Sequence, residues 1–210
     1  RVHAFHLVPG LVFDDGEPCA ADAVVANIRR WAQAPAPVEG SVPMPSSFVS
    51  AFGGHEGEEG SVYAGVEARG AHEVRLRLTS PLRHLAAALS SPAFAISSPA
   101  SWERTVPVDG VETVTPAGTG PYRWATEAEV AELSRDQPDG ADVAYLVPSA
   151  SHRGEEPAVR PVVVHPWGRA TTRLRELRRG TADVIDVVAP GQLRPLVEAG
   201  TQVLPRDPLA

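Results

Sequence analysis

The first stretch of the chain constrains its fold most, because the hydrophobic period changes there across a turn. Phe5 and Leu7 flank His6, and Leu11 and Phe13 flank Val12, which is the two-residue period of half-buried strands. Asp14-Asp15-Gly16 then supplies turn chemistry, since glycine accepts positive φ and aspartate side chains bond nearby amides. Beyond the turn, Ala21, Val24, Val25, Ile28 and Trp31 share one face of a helix expected over residues 20–31. Asp22 lies in its first turn, where the helix dipole favours an acid. The expectation is a strand, a reversal and a packed helix.

Later segments repeat this grammar. Val74, Leu76 and Leu78 alternate with Arg75 and Arg77, Thr79-Ser80-Pro81 ends the strand, and Leu82, Leu85, Ala88 and Leu89 have helical spacing. In Pro116-Ala117-Gly118-Thr119-Gly120-Pro121-Tyr122, both glycines are expected to permit a turn that other residues would strain. Residues 122–124 and 130–135 are expected as two strands of a hairpin. In a helix starting near Arg169, Ala170, Leu174 and Leu177 face one way, Arg173, Arg175, Arg178 and Arg179 carry charge toward the C-terminus, and Gly180 is the expected cap. Strands expected at residues 162–165, 184–187 and 201–204 alternate with that helix and one over residues 192–198, a layered α/β pattern. Residues 35–60, rich in Pro, Gly and Ser, and residues 137–161 are expected as long loops.

Composition removes several chemistries. All 19 basic residues are arginine, so a phosphate loop, a Schiff base and Ser-Lys catalysis are excluded within this chain. No Gly-x-Ser-x-Gly elbow occurs. His55 with Glu56, Glu58 and Glu59 lacks the His-Glu-x-x-His spacing that aims two imidazoles at one zinc. No enzyme activity, cofactor or metal is expected. The single cysteine, Cys19, excludes an intrachain disulfide. A net charge of −7 argues against nucleic-acid binding, and the arginine-rich helix reads as a solvated face. No apolar run approaches the roughly 20 residues that span a bilayer.

Taken in order, these segments resemble the family 5 extracellular solute-binding proteins of ABC importers. Ala4-Phe5-His6-Leu7 with Leu11-Val12-Phe13-Asp14-Asp15-Gly16-Glu17-Pro18 is similar to the family's opening block, and Cys19 departs from the Thr or Ser often found there. The Val74 to Leu89 segment, the Pro116 to Tyr122 turn with Val130 to Arg135, and the Arg169 helix with Gly180-Thr181-Ala182-Asp183 resemble later family blocks. The resemblance implies an α/β, periplasmic-binding-protein-like (type II) lobe with mixed sheets flanked by helices. Residues 1–119 would be a small accessory subdomain of lobe I and residues 120–210 its α/β subdomain near the hinge, with the second lobe absent.

The function implied is capture of a small solute, first of all a peptide, by a monomeric protein anchored at the cell surface through an upstream lipidated cysteine, with delivery to ABC permease subunits. Two rivals carry a different role: a cytoplasmic ligand-sensing domain of a transcriptional regulator, and a cell-surface protein acting through protein contacts. In the family, segments matching residues 45–52 and 90–98 approach the cleft. Ser46, Ser47 and Phe48, with Ser90, Ser91 and Phe94, are therefore the candidate ligand contacts, against the plainer alternative of core rings and capping serines. Trp102 and Trp167 are further candidates if exposed. Nickel-type members carry an arginine where Pro92 or Ala93 stands, which disfavours a nickel chelate.

Overall fold

The computed structural model describes residues 1–33, 46–108, 111–134, 143–186 and 188–204. The chain divides into two compact units, Arg1–Val164 and His165–Ala210. Helices and sheets alternate through the first, and every strand pairing among its described residues is antiparallel.

The first unit is built on a three-stranded sheet whose spatial order is β1 (Val2–His6), β3 (Glu73–Leu78), β2 (Tyr63–Arg69). In β3 the alternation expected from sequence holds. Val74, Leu76 and Leu78 are buried while Arg75 and Arg77 face outward, and Arg75 Nε donates to Glu73 at 2.5 Å. Helix α1 (Ala21–Ala32) covers the sheet with Val24, Val25 and Ile28, so burying each aliphatic side chain contributes about 1.5–3 kcal/mol. Its N-cap is Ala20, whose side chain makes no capping bond, and the start is held by the Ala21 amide on Ala71 O at 2.9 Å.

The residues before α1 form one isolated bridge, Val12 to Pro18, instead of a second strand. The reversal takes up their polar groups: Phe13 N donates to Glu17 O at 2.8 Å and Cys19 N to Leu11 O at 2.9 Å. Phe13, 1% exposed, forms a small separate cluster with Cys19 and Ala117. Burial pushes the Cys19 thiol above its ordinary pKa, which keeps it protonated.

A helix, α2 (Ser47–Phe52), lies inside the segment expected as an irregular loop. Ser46 Oγ accepts from Val49 N at 3.1 Å, Phe48 and Phe52 stack at 4.5 Å one turn apart, and Gly53 ends the helix with φ +82°. These local signals outweigh a loop-like composition. Residues 35–45, the first part of that expected loop, lie outside the described residues. The expected helix after Pro81 is shorter than its spacing suggests: α3 (Leu85–Leu89) begins after Leu82.

A hairpin of β4 (Thr105–Val108) and β5 (Val111–Val114) precedes a second three-stranded sheet, β6 (Tyr122–Trp124), β7 (Ala144–Pro148), β8 (Val162–Val164), in that order. The expected pairing of residues 122–124 with residues 130–135 is replaced. Tyr122 pairs with Pro148 and Trp124 with Leu146, while α4 (Glu127–Leu133) occupies the stretch expected as a strand. The cause is a capping box: Thr126 Oγ1 accepts from Glu129 N at 3.4 Å, and the Glu129 carboxylate accepts from Thr126 N at 2.8 Å. Strand β7 also falls within the loop expected over residues 137–161. Arg135 and residues 137–142 lie outside the described residues.

In the second unit, α5 (Ala170–Arg179) ends at Gly180 in the left-handed region, φ +75°, as the sequence predicts. Thr181 Oγ1 donates to Glu176 O at 3.0 Å, closing the C-terminus. Helix α6 (Pro190–Glu198) follows and buries Leu196. The strands expected at residues 184–187 and 201–204 do not form among the described residues, where Val184 is 85% and Leu204 78% exposed. Val187 lies outside them. A short apolar run becomes a strand only where a sheet edge can pair with it, and the described residues of this unit contain no strand.

Candidate functional site

The six residues expected at a ligand cleft are placed by local structure. Ser46 is the N-cap of α2, and its Oγ lies 3.4 Å from His55 Nε2. Ser47 opens the helix and is exposed. Ser90 is exposed and donates to Ala87 O at 2.7 Å, and Ser91 accepts from Ala93 N at 3.4 Å at the start of a 3-10 turn, Pro92–Phe94. Phe48 and Phe94 are 2% and 7% exposed. Phe52 joins them: it stacks on Phe48 and meets the Phe94 ring edge-on at 6.4 Å. Both rings therefore belong to the core of the first unit, and ligand contact through them requires that core to open. None of the six lines either of the two cavities described below.

The tryptophans singled out by sequence are half-buried. Trp102 Nε1 donates to Ser97 Oγ at 3.0 Å beneath the Arg30 guanidinium, 4.5 Å from the ring centroid. Trp167 stacks on His165 with centroids 4.5 Å apart. His55 turns toward Glu58, whose carboxylate accepts from His55 N at 2.7 Å, and this bond lowers the Glu58 pKa. Among the described residues, no group of three or more His, Cys, Asp and Glu side chains is placed to hold a metal.

One cavity, about 330 Å³, is lined by Glu17, Asp22 and Ser98 beside Pro18 and Pro99, acids without a base. The other, about 300 Å³, has charges of both signs and an aromatic wall: Asp14, Arg104, Arg123, Trp124 and Thr126. Three stretches separated in sequence converge there. Asp14 comes from the first reversal, where its amide donates to Gly118 O at 3.0 Å. Arg104 immediately precedes β4, Arg123 and Trp124 lie in β6, and Thr126 caps α4.

Each charge in this cavity has a distinct state. Arg123 makes a two-pronged pair with Glu129, Nη1 to Oε2 at 2.9 Å and Nη2 to Oε1 at 2.7 Å. Those bonds hold the Glu129 carboxyl down at about 2, helped by the Thr126 amide, and raise the Arg123 pKa further. Asp14 Oδ1 accepts from the hydroxyls of Ser149 and Ser151, the latter at 2.9 Å. Arg104 is exposed, and among the described residues nothing pairs with its guanidinium.

Gly118 and Gly120 border this site without the strained turn expected of them. Neither has positive φ, and a Cβ added at either meets nothing closer than 3.9 Å. The Gly118 carbonyl serves instead as the acceptor for Asp14. Sequence reading placed Asp14 in a turn and Arg123 and Trp124 in a strand, and it missed Arg104. No local pattern links these residues, because only tertiary approach brings them together.

Solved structures share this fold. MoaA from A.tumefacien R10, in complex with mannopinic acid, has a TM-score of 0.67 at 20% identity, covering 95% of this chain and 35% of its own. DppA from Helicobacter pylori, in complex with the peptide STSA, has a TM-score of 0.62 at 18% identity, covering 94% and 37%. NikA from Brucella suis, in complex with Fe(III)-EDTA, has a TM-score of 0.60 at 22% identity, covering 95% and 35%. The chain thus spans little more than a third of the length of these neighbours. No curated protein sequence matches it. No helix among the described residues is long and apolar enough to cross a membrane. The model of bacterial extracellular solute-binding proteins, family 5 Middle, matches residues 1–208, nearly the whole sequence, and on that match the chain belongs to this family.

Proposed function

We propose that this chain is the ligand-capturing part of an ABC importer's solute-binding protein, working outside the cell as a lipid-anchored monomer and handing its cargo to membrane permease subunits. Peptide is the substrate class proposed first. The observation that supports capture is the cavity of Asp14, Arg104, Arg123 and Trp124. A few polar groups converging beside an apolar wall is how proteins hold small polar solutes. A peptide, with its ammonium, carboxylate and amide groups, matches a cavity of mixed charge better than a sugar does. The exposed hydroxyls of Ser47 and Ser90 are proposed as additional contacts. Residues 1–119 and 120–210 are proposed as the accessory and hinge-side subdomains of one lobe, and ligand would act by stabilising a closed state.

The experiment is thermal unfolding of the full-length protein against di- to pentapeptides, sugars and metal chelates. A ligand that binds only the folded state raises the midpoint by an amount set by RT ln(1 + [L]/Kd). A saturable rise with peptides is expected. A rise confined to sugars or chelates would replace the peptide assignment, and no rise with any compound, on folded protein, would remove the capture reading.

A further inference from the structure

Three side chains around α2 stand together outside both cavities: Ser46, His55 and Glu58. Ser46 Oγ lies 3.4 Å from His55 Nε2, and His55 Nδ1 lies 3.3 Å from Glu58 Oε1. The direction of each hydrogen bond follows from the groups themselves. Glu58, whose pKa is lowered first by the bond from the His55 amide, is an ionised carboxylate and can only accept, so Nδ1 carries the imidazole proton and Nε2 is left as the acceptor. Ser46 Oγ already accepts from Val49 N at 3.1 Å, so its one proton is free to point at Nε2. The chain of bonds thus runs from hydroxyl to imidazole to carboxylate, the order in which a base activates a serine and a third group orients the base. Both distances are at the long end for such pairs, which tighten when substrate closes on them.

Local packing holds the arrangement. Glu58 Oε2 accepts from His55 N at 2.7 Å, and a Cβ on Gly54 would lie 3.1 Å from that oxygen, so the glycine leaves room for the carboxylate. Ser61 Oγ donates to Gly54 O at 3.0 Å and Glu56 N to Ala32 O at 2.8 Å, which fasten the loop to its surroundings. The imidazole lies nearly parallel to the Phe48 ring, with centroids 6.5 Å apart. Ser46 and His55 are half-buried, so both keep surface open to a small substrate.

We infer that Ser46, His55 and Glu58 are a nucleophile, its base and its positioning carboxylate, and that the chain has a slow acyl-transfer activity toward small activated carboxylic esters. Ser46 Oγ attacks the acyl carbon, its proton passes to His55 Nε2, and the bond from that carbon to the leaving oxygen breaks as the oxygen takes the proton from Nε2. Water then adds to the acyl group on Ser46 by the same route, releasing the carboxylic acid and restoring the hydroxyl. Glu58 stabilises the imidazolium formed in each step through Nδ1 and stays ionised throughout. An activated ester suits the site because its leaving group departs with little assistance. The activity is separate from solute capture and does not depend on that reading.

The test is p-nitrophenyl acetate with the full-length protein, followed by p-nitrophenolate release, intact mass and peptide mapping. An acetyl group on Ser46 is expected. Ser46→Asn keeps a capping oxygen for Val49 N and removes the nucleophile, so it should lose the adduct and at least about tenfold of the release rate, as should His55→Gln. Glu58→Gln should lower kcat and leave KM in place, the split expected of a group that acts through the base. Glu59→Gln, an exposed acid next to Glu58, should release at the parent rate. Unfolding midpoints establish that the variants are folded, and the site of acetylation in the parent decides the matter even where a variant is not. An acetyl group on any other residue, no acetyl group at all, or release that survives both Ser46→Asn and His55→Gln would overturn the assignment and leave Ser46 as a helix cap.

Discussion

Asn27 in α1 holds the backbone of Ser97, seventy positions away, by both its amide and its carbonyl: Nδ2 donates to Ser97 O at 2.7 Å and Oδ1 accepts from Ser97 N at 3.2 Å. The same Nδ2 also donates to Ala23 O at 2.8 Å, within the helix. Asn27 is 2% exposed, and Ser97 is half-buried. Through Ser97 the contact reaches Trp102, and it ties the helix to the chain that leads on to Arg104.

Replacing Asn27 by Ala leaves the Ser97 amide and carbonyl without their partner at a half-buried position. The expected loss is about 2–3 kcal/mol, the cost of buried polar groups left unsatisfied. Urea unfolding should show a lower midpoint with an unchanged slope. A loss under about 0.5 kcal/mol would mean that water replaces the side chain.

The Arg123–Glu129 pair predicts a pH signature. Glu129 has an ordinary value of 4.5 and a folded value of about 2, lowered first by the Arg123 hydrogen bonds. A folded pKa below the unfolded one means that the stabilisation is full above about pH 4.5 and is lost as the pH falls through about 2. Glu129→Gln should therefore lower stability at neutral pH, and the gap to the parent should close between those values. Because Glu58, Glu73 and Glu176 also have lowered pKa values, the quantity to measure is the difference between the two proteins across pH and not the parent curve alone. A constant gap would show that neither the Arg123 pair nor the cap of α4 depends on the charge of Glu129.

Gly53 and Gly180 both sit at positive φ, but with different surroundings. A Cβ on Gly53 would lie 2.7 Å from Gly60 O, a backbone atom, whereas a Cβ on Gly180 meets nothing within 4 Å. Gly180→Ala should cost about 1 kcal/mol, the conformational penalty of the left-handed region alone. Gly53→Ala adds a clash that only a backbone shift can relieve, and about 2–3 kcal/mol is expected. Equal losses in chemical denaturation would show that the segment from Gly53 to Gly60 yields freely.

What could be read from the sequence followed the range of the interaction that fixes each element. The alternation of Val74, Leu76 and Leu78, the face of α1 and the Gly180 cap are local patterns, and the structure keeps them. Helix α2 was equally local, yet Ser46, the Phe48–Phe52 spacing and Gly53 were hidden within a composition that suggests a loop. Val130 and Leu133 fit a short strand or a helix equally well, and the Thr126–Glu129 box decides it. Strands assigned to residues 184–187 and 201–204 had apolar character but no sheet edge to join among the described residues. The cavity was the least legible part, since Asp14, Arg104 and Arg123 have no spacing rule. Ser149, which orients Asp14 from 135 positions away, was legible only as a loop residue.

That long-range contact is itself testable as a coupling. Ser149 Oγ and Ser151 Oγ converge on one oxygen of Asp14 and lie 2.9 Å from each other, while Ser149 N donates to Pro121 O at 2.9 Å. The first reversal is thereby fastened to the end of β7. In a double-mutant cycle of Asp14→Ala and Ser149→Ala, the interaction energy should be about 1.5 kcal/mol or more, the range for a hydrogen bond to a charged group. Ser151→Ala alone should cost less, because Ser149 still holds the carboxylate. Amide exchange gives the spatial readout: Asp14→Ala should speed exchange at Phe13 and Cys19, whose amides close the reversal, and leave Leu76 in the centre of its sheet unchanged. Additive single effects would show that the reversal is held by the Gly118 carbonyl and the Phe13 cluster alone, with the serines idle.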